Sequence, residues 1–426
     1  NAFVTCVGRG IDFDGSGATH VTKNALVQGN SFLNVTNSGI HNNPLVTNAN
    51  AQDGIVIDSN YFGPNVASTG GSPIAFFPAN YSVKAGTITV TAGTGTVVGV
   101  GTAFNTDFAL HDSIRTAGGQ IREVLTITDA THMTTTGATY NWTNGESGVT
   151  YGKIIAPLTT YGGMTVTNNT FDKAQRTRSS PQYAVRLSSE FLPVFPADSL
   201  NCQRTGTFIG PKIEGNTFIE TGGGVYVSGA TTNATYPKAT IRNNTFRGLR
   251  ANYAIGSFGG AGVETANNDI DGVYQADIAT NFDGSGIDYD GCSSGGQIHS
   301  NYVRNTIGST LQQLSGGGIM FFGSTGVEIY GNVIDNAYVG ITNGNSFGSN
   351  APVNRIFNNT VVNSRSHGYY VALTGGQANI VSNNIFANSG GAGITRASSV
   401  NQALSNNLFC SSSARATCPG RRRGSP

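Results

Sequence analysis

The residues of this sequence best suited to chemistry are carboxylates. Asp288 and Asp290 stand two residues apart in Gly286-Ile287-Asp288-Tyr289-Asp290, and Asp12 and Asp14 repeat the arrangement after Gly10-Ile11. If each isoleucine points inward along a strand, both aspartates that follow point outward. Carboxylates at that spacing lie about 6.5–7 Å apart. That leaves room for a water between a general acid and a general base, as in inverting glycoside hydrolysis. Like charges so close titrate in separate steps, which supplies one acid and one base. The same offset elsewhere places His41, Arg186, Ser188, Tyr226, Met320, Phe322 and Tyr370 outward. Arg186 and Arg304 suit contact with an anionic substrate, and Tyr226, Phe322 and Tyr370 suit stacking on sugar rings. Glu190, Asp277, Asp283, His299, Arg304 and His367 fall within reach on flanking loops or turns.

The same aspartates also suit a solvated surface or a bound calcium ion. Asp12-Phe13-Asp14-Gly15-Ser16-Gly17 and Asn281-Phe282-Asp283-Gly284-Ser285-Gly286 are oxygen-rich turns, although both lack the rest of a calcium loop. Calcium aside, no cofactor is expected. The sequence has no Gly-rich phosphate loop, zinc-type His/Cys spacing or G-x-S-x-G elbow.

The elements that position these residues come from a repeat. Asn, any residue, then a large apolar residue recurs eleven times, from Asn30-Ser31-Phe32 to Asn407-Leu408-Phe409. The last spacings are 33, 31, 27, 25 and 23 residues. Gly or Ala followed by an apolar residue comes about 10 residues after most copies, as in Gly39-Ile40, Gly224-Val225 and Gly340-Ile341. Each unit reads as two or three short strands, with alternation such as Val225-Tyr226-Val227. So small a unit cannot bury its apolar face alone, and stacking units along an axis solves that. The expected fold is all-β: a parallel β-helix of about 11–12 coils. Propeller blades are longer than these spacings. The Asn tolerates left-handed geometry at a sharp turn, and its amide donates to one coil while accepting from the next. The apolar residue two positions on stacks inward.

Two interruptions break the period. Asn60 to Asn169 spans 109 residues and contains runs such as Gly86-Thr87-Ile88-Thr89-Val90-Thr91. It reads as about five strands of a small inserted β-domain. Asn169 to Asn216 is also overlong and includes Glu190. The expected organisation is coils over 1–81, the insert over 82–161, coils over 162–412 and a tail over 413–426, including Arg421-Arg422-Arg423. Long excursions flank the Gly-apolar strand on both sides, which makes that strand stack the floor of a trough.

Composition excludes several classes. Charged residues make up 11% and Gly 59 of 426, which rules against coiled coils and helical bundles. At 38% hydrophobic the chain is not disordered. A formal net charge of +1 gives no field for nucleic acid or an anionic membrane. Neither is an expected partner. Cys410 and Cys418 are close enough to clip the C-terminal end, while Cys6, Cys202 and Cys292 read as small buried residues. The sequence opens at Asn1 without Met, so a processed or trimmed product is expected.

Coils such as Asn358-Asn359-Thr360-Val361 and Asn383-Asn384-Ile385-Phe386 resemble the right-handed parallel β-helix, or pectate-lyase-like, superfamily. The insert segment from Gly93 to Phe104 is similar to small β-domains of phage tail proteins. The resemblance implies a right-handed helix with a groove along one strand stack. It implies a polysaccharide as partner, an extracellular or virion location, and a homotrimer if tailspike-like. Glycosidic cleavage by Asp288 and Asp290 is the reading preferred here. The alternatives are β-elimination on a uronate-containing glycan and a non-catalytic adhesin or fibre. The sequence lacks the Asp-Asp and Gly-His-Gly cluster of polygalacturonases, the Asp-Pro-His of epimerases and an identifiable lyase Lys/Arg pair.

Overall fold

The computed structural model describes residues 2–13, 22–42, 50–68, 71–76, 81–110, 112–116, 121–135, 145–154, 159–174, 183–188, 208–250, 253–274, 284–290, 293–308, 316–344, 353–371, 379–396 and 402–410. Three long all-parallel sheets run along the molecule, of 12, 11 and 11 strands among these residues. Each coil passes through them in a fixed order. Lys212–Glu214 lies in the third sheet, Thr217–Ile219 in the first and Gly223–Ser228 in the second. The next coil repeats this with Ala239–Arg242, Thr245–Leu249 and Tyr253–Phe258. The chain is a right-handed parallel β-helix. A short fourth parallel sheet joins Asn50–Asp53, Thr159–Gly162, Phe208–Ile209 and Ala230–Thr231.

The asparagines form one unbroken ladder between the third and first sheets. From Asn30 to Asn407, each Nδ2 donates to Oδ1 of the next at 2.9–3.0 Å. Each backbone N–H also donates to that same oxygen, as Asn244 does to Asn268 at 3.0 Å. The second amide hydrogen goes to a carbonyl of the coil before, as from Asn244 to Ile213 at 2.9 Å. The sharp turn itself is made differently from the expectation. The left-handed residue is the one before the ladder Asn, as at Ser59, Asn168, Asn243 and Asn358. That geometry turns the chain, leaving the ladder side chain free to point inward. A second left-handed corner follows four residues after the ladder, at Asn305, Asn336, Asn363 and Asn388. It carries a partial amide ladder of its own, Asn336 to Asn305 at 2.7 Å and Asn388 to Asn363 at 3.2 Å.

Behind the ladder, Phe32, Phe62, Phe171, Phe218 and Phe246 stack with centroids 4.6–4.8 Å apart. Buried fully, each contributes about 1.5–3 kcal/mol. The Gly-apolar signal has a spatial cause. A Cβ at Gly39 would stand 2.7 Å from the Phe62 ring of the next coil, and one at Gly224 would stand 2.5 Å from that of Phe246. The glycine lets the second sheet close onto the ring.

Residues Tyr81 to Ile154 leave this pattern. Eight strands among the described residues form one antiparallel sheet, three more than the sequence suggested. They surround a separate core of Ile88, Val97, Phe104, Ile114, Val124 and Tyr151. The first and last strands, Tyr81–Val83 and Tyr151–Ile154, pair with each other, so the segment leaves and rejoins the coils side by side. The helix Phe104–Asp107 is the only one described, and none is long and apolar enough to cross a membrane. Cys410 is disulfide-bonded, while Cys6 is a half-buried free thiol. Cys202, Cys292 and Cys418 lie outside the described residues.

Candidate functional site

Every second-sheet strand follows the same register, so outward side chains line up in columns. One column reads Asp12, His41, Ala75, Arg186, Tyr226, Gly256, Asp288, Met320, Thr342, Tyr370 and Thr395. The predicted residues Arg186, Tyr226, Asp288 and Tyr370 therefore share one line. A neighbouring column carries Ser188, Ser228, Phe258 and Asp290. Phe322 continues it, with its N–H on the Tyr289 carbonyl at 2.8 Å and its ring lying over Gly344.

A third column stands just before the inward glycine or alanine: Tyr183, Gly223, Tyr253, Ser285, Gly317 and Val339. It adds two aromatic rings that the sequence reading missed. Tyr183 stacks on Tyr226 at 4.8 Å, and Tyr226 meets Phe258 at 5.0 Å. Tyr253 lies 6.2 Å from Tyr183 and 5.9 Å from Phe258. Four rings on three successive coils thus form one cluster beside Arg186. The signal was present, since Tyr183 and Tyr253 occupy the same offset before Ala184-Val185 and Ala254-Ile255.

The aspartates lie on the next coil. Both leave the outer side of Ser285–Asp290, while Ile287 and Tyr289 fill the core. The floor is not open along its whole length, however. Asp288 is 1% exposed and its column neighbour Met320 2%, whereas Asp290 is half-buried. Alternation fixes which side a residue takes and says nothing of what lies over it. Both aspartates have interaction partners, as does Arg186. At about 4.8 Å per rung, Arg186 and Tyr370 each lie three rungs from Asp288, roughly 14 Å.

The two ends of the face are polar. At the start, Asp12 takes Arg9 at 2.5 Å and His41 at 3.1 Å. Burial opposes the charge on Asp12, but these partners outweigh it and hold the carboxyl below its usual range. At the far end, His367 stacks on Tyr370 at 5.4 Å and meets the Thr395 hydroxyl at 3.0 Å. Burial lowers the His367 pKa, so the ring is neutral near pH 7.

Two predicted residues lie elsewhere. Arg304 is on the outer face of the first sheet, 3.0 Å from both Asp269 and Asp271 and over the Tyr302 ring. Its register partners are acidic, so it completes a surface ion network that Arg247 also joins. His299 is on the third sheet, bonded to Glu264 at 3.1 Å and stacked on Tyr330. Glu190, Asp277, Asp283, residues 14–17 and 281–283 of the two oxygen-rich turns, and the basic tail lie outside the described residues. Among the described residues no group of three His, Cys, Asp or Glu is arranged to hold a metal ion.

Fold and register define the class of protein: a right-handed parallel β-helix with an aromatic and acidic outer face on its second sheet. No family model and no curated protein sequence matches the chain. Among solved structures it is similar to a mutant of the periplasmic alginate epimerase AlgG, at 10% identity and TM-score 0.43 over 96% of this chain and 76% of that one. It is also similar to the gp61 tailspike of Pseudomonas phage phi297, at 11% identity and TM-score 0.25 over 88% of this chain and 66% of that one. The gp54 tailspike of Acinetobacter baumannii bacteriophage AP22, solved with a capsular saccharide, matches at 12% identity and TM-score 0.21 over 95% and 65%. These likenesses concern the fold alone.

Proposed function

We propose that the chain binds a polysaccharide along the outer face of its second sheet and cleaves it by hydrolysis at Asp288 and Asp290. The observation that carries this reading is the cluster of Tyr183, Tyr226, Tyr253 and Phe258 on the three coils before the paired aspartates. Tyr226 and Phe258, the half-buried members, supply apolar area for sugar rings, and the buried Tyr183 and Tyr253 back them. The face from Arg186 to Tyr370 spans seven rungs and six rung spacings, roughly 29 Å, long enough for several sugar units. One carboxyl protonates the departing glycosidic oxygen while the other takes a proton from the attacking water. Asp290 is assigned the water, because it is the half-exposed member. The reaction needs no cofactor.

A second reading rests on His367, a neutral imidazole stacked on Tyr370. Such a ring is suited to removing a proton beside a uronate carboxylate in β-elimination. On either reading the protein acts outside the cell or on a virion, and a tailspike role brings a homotrimer with it.

Product chemistry on a panel of neutral and acidic polysaccharides separates the readings. New reducing ends without near-ultraviolet absorbance support hydrolysis. Products absorbing in the near ultraviolet support elimination and overturn the roles given to Asp288 and Asp290. Binding without either product supports an adhesin or fibre.

A further inference from the structure

The third sheet carries a cavity of about 180 Å³ whose walls are mostly apolar and whose charges are mostly positive. Its floor is two adjacent rungs, Lys212 and Glu214 on one and Thr240 and Arg242 on the next. Glu214 is already committed. It accepts from the Thr240 hydroxyl at 2.6 Å and from Arg242 Nη2 at 3.3 Å. That leaves the charges of Lys212 and Lys238, two exposed side chains without an ion-pair partner among the described residues.

The wall is a built feature. The Tyr236 ring sits in a slot left by three glycines, where a Cβ at Gly162, Gly163 or Gly210 would stand 2.8 Å or less from Tyr236 atoms. The Tyr236 hydroxyl donates to Asp53, three coils away in the stack. The turn beneath is closed by Asn233 N–H on the Tyr236 carbonyl at 3.0 Å and by Tyr236 N–H on Asn233 Oδ1 at 2.7 Å. A wall held in place before a ligand arrives lowers the ordering cost of binding.

We infer that this cavity is a binding site for one acidic sugar unit. Its ring would lie against Tyr236 and Pro237, with its carboxylate between Lys212 and Lys238. The volume is below that of pockets for larger ligands, which fits a single residue of a chain. An apolar wall beside two ammonium groups matches a uronate better than a neutral sugar or a bare anion. The site lies on a different sheet from the aspartates, so it would hold a glycan without cutting it.

The test is titration calorimetry on the full chain with methyl glucuronide, methyl glucoside and acetate as probes. The inference expects methyl glucuronide to bind, the other two to bind at least tenfold more weakly, and the double variant Lys212→Gln, Lys238→Gln to lose about tenfold or more for the glucuronide alone. Equal binding of the three probes, no binding of the glucuronide, or unchanged glucuronide affinity in the double variant would overturn it. The readout is binding, so failure here leaves the cleavage reading standing, and loss of cleavage leaves this site standing.

Discussion

The ring of Tyr183 lies on that of Tyr226 one coil later, with centroids 4.8 Å apart and planes 28° from parallel. Both side chains leave the outer side of the second sheet, where Tyr183 is buried and Tyr226 half-buried. Tyr226→Ala removes the central ring of the cluster. Oligosaccharide affinity should fall about tenfold with kcat little changed. Calorimetry and a KM-against-kcat comparison check this, and an unchanged KM would remove the cluster from the binding face.

Asp288→Asn and Asp290→Asn keep side-chain volume and remove the proton-transfer group. Each should lower kcat on a cleaved polysaccharide by roughly 10²–10⁴-fold while leaving binding nearly intact. Both variants retaining full activity would show that the pair does not carry the chemistry.

Arg304→Ala should leave cleavage unaffected, because the guanidinium is occupied by Asp269 and Asp271 on another sheet. Its partly exposed ion pairs should contribute no more than about 1 kcal/mol of stability. Parallel activity and melting measurements on this variant test both statements.

The Asn ladder sets a sharper stability expectation. In Asn244→Ala, the buried Nδ2 and backbone N–H of Asn216 lose their shared acceptor. The cost should be about 2–5 kcal/mol, read as a fall in Tm. Asn407→Ala, at the half-buried end, should cost less than half as much, since water can replace the lost oxygen.

Acid should weaken the coils through Asp58. Partial burial pushes its pKa up, but Gln28, Thr167, Asn168 and Ser59 all donate to it, and the balance brings it down to about 2. A carboxyl depressed on folding stabilises the fold above its unfolded pKa of about 4, and that contribution is lost as pH falls from about 4 to 2. Asp58→Asn should therefore flatten the pH dependence of Tm across that window. A wild-type slope in the variant would contradict this.

The helix was legible because its signals are periodic. Ladder asparagines and inward rings recur at matched offsets, and a coil must present the same residue to each neighbour. The site was legible only in part. Arg186, Tyr226, Asp288 and Tyr370 share one column because alternation decides side. Burial of Asp288 was not readable, because it depends on what packs over the strand. Arg304, expected on a flanking loop or turn, lies in a first-sheet strand that pairs with Asp271 and Asp335. The Tyr236 wall was invisible, since Gly162, Gly163 and Gly210 come close to it only once the coils stack.

The most direct measurement is a crystal structure of Asp290→Asn with an oligosaccharide from whichever panel polysaccharide binds most tightly. The account predicts density along the second sheet, with sugar rings against Tyr226 and Phe258 and a glycosidic oxygen beside Asp288. An oligosaccharide bound only along the first or third sheet would contradict it.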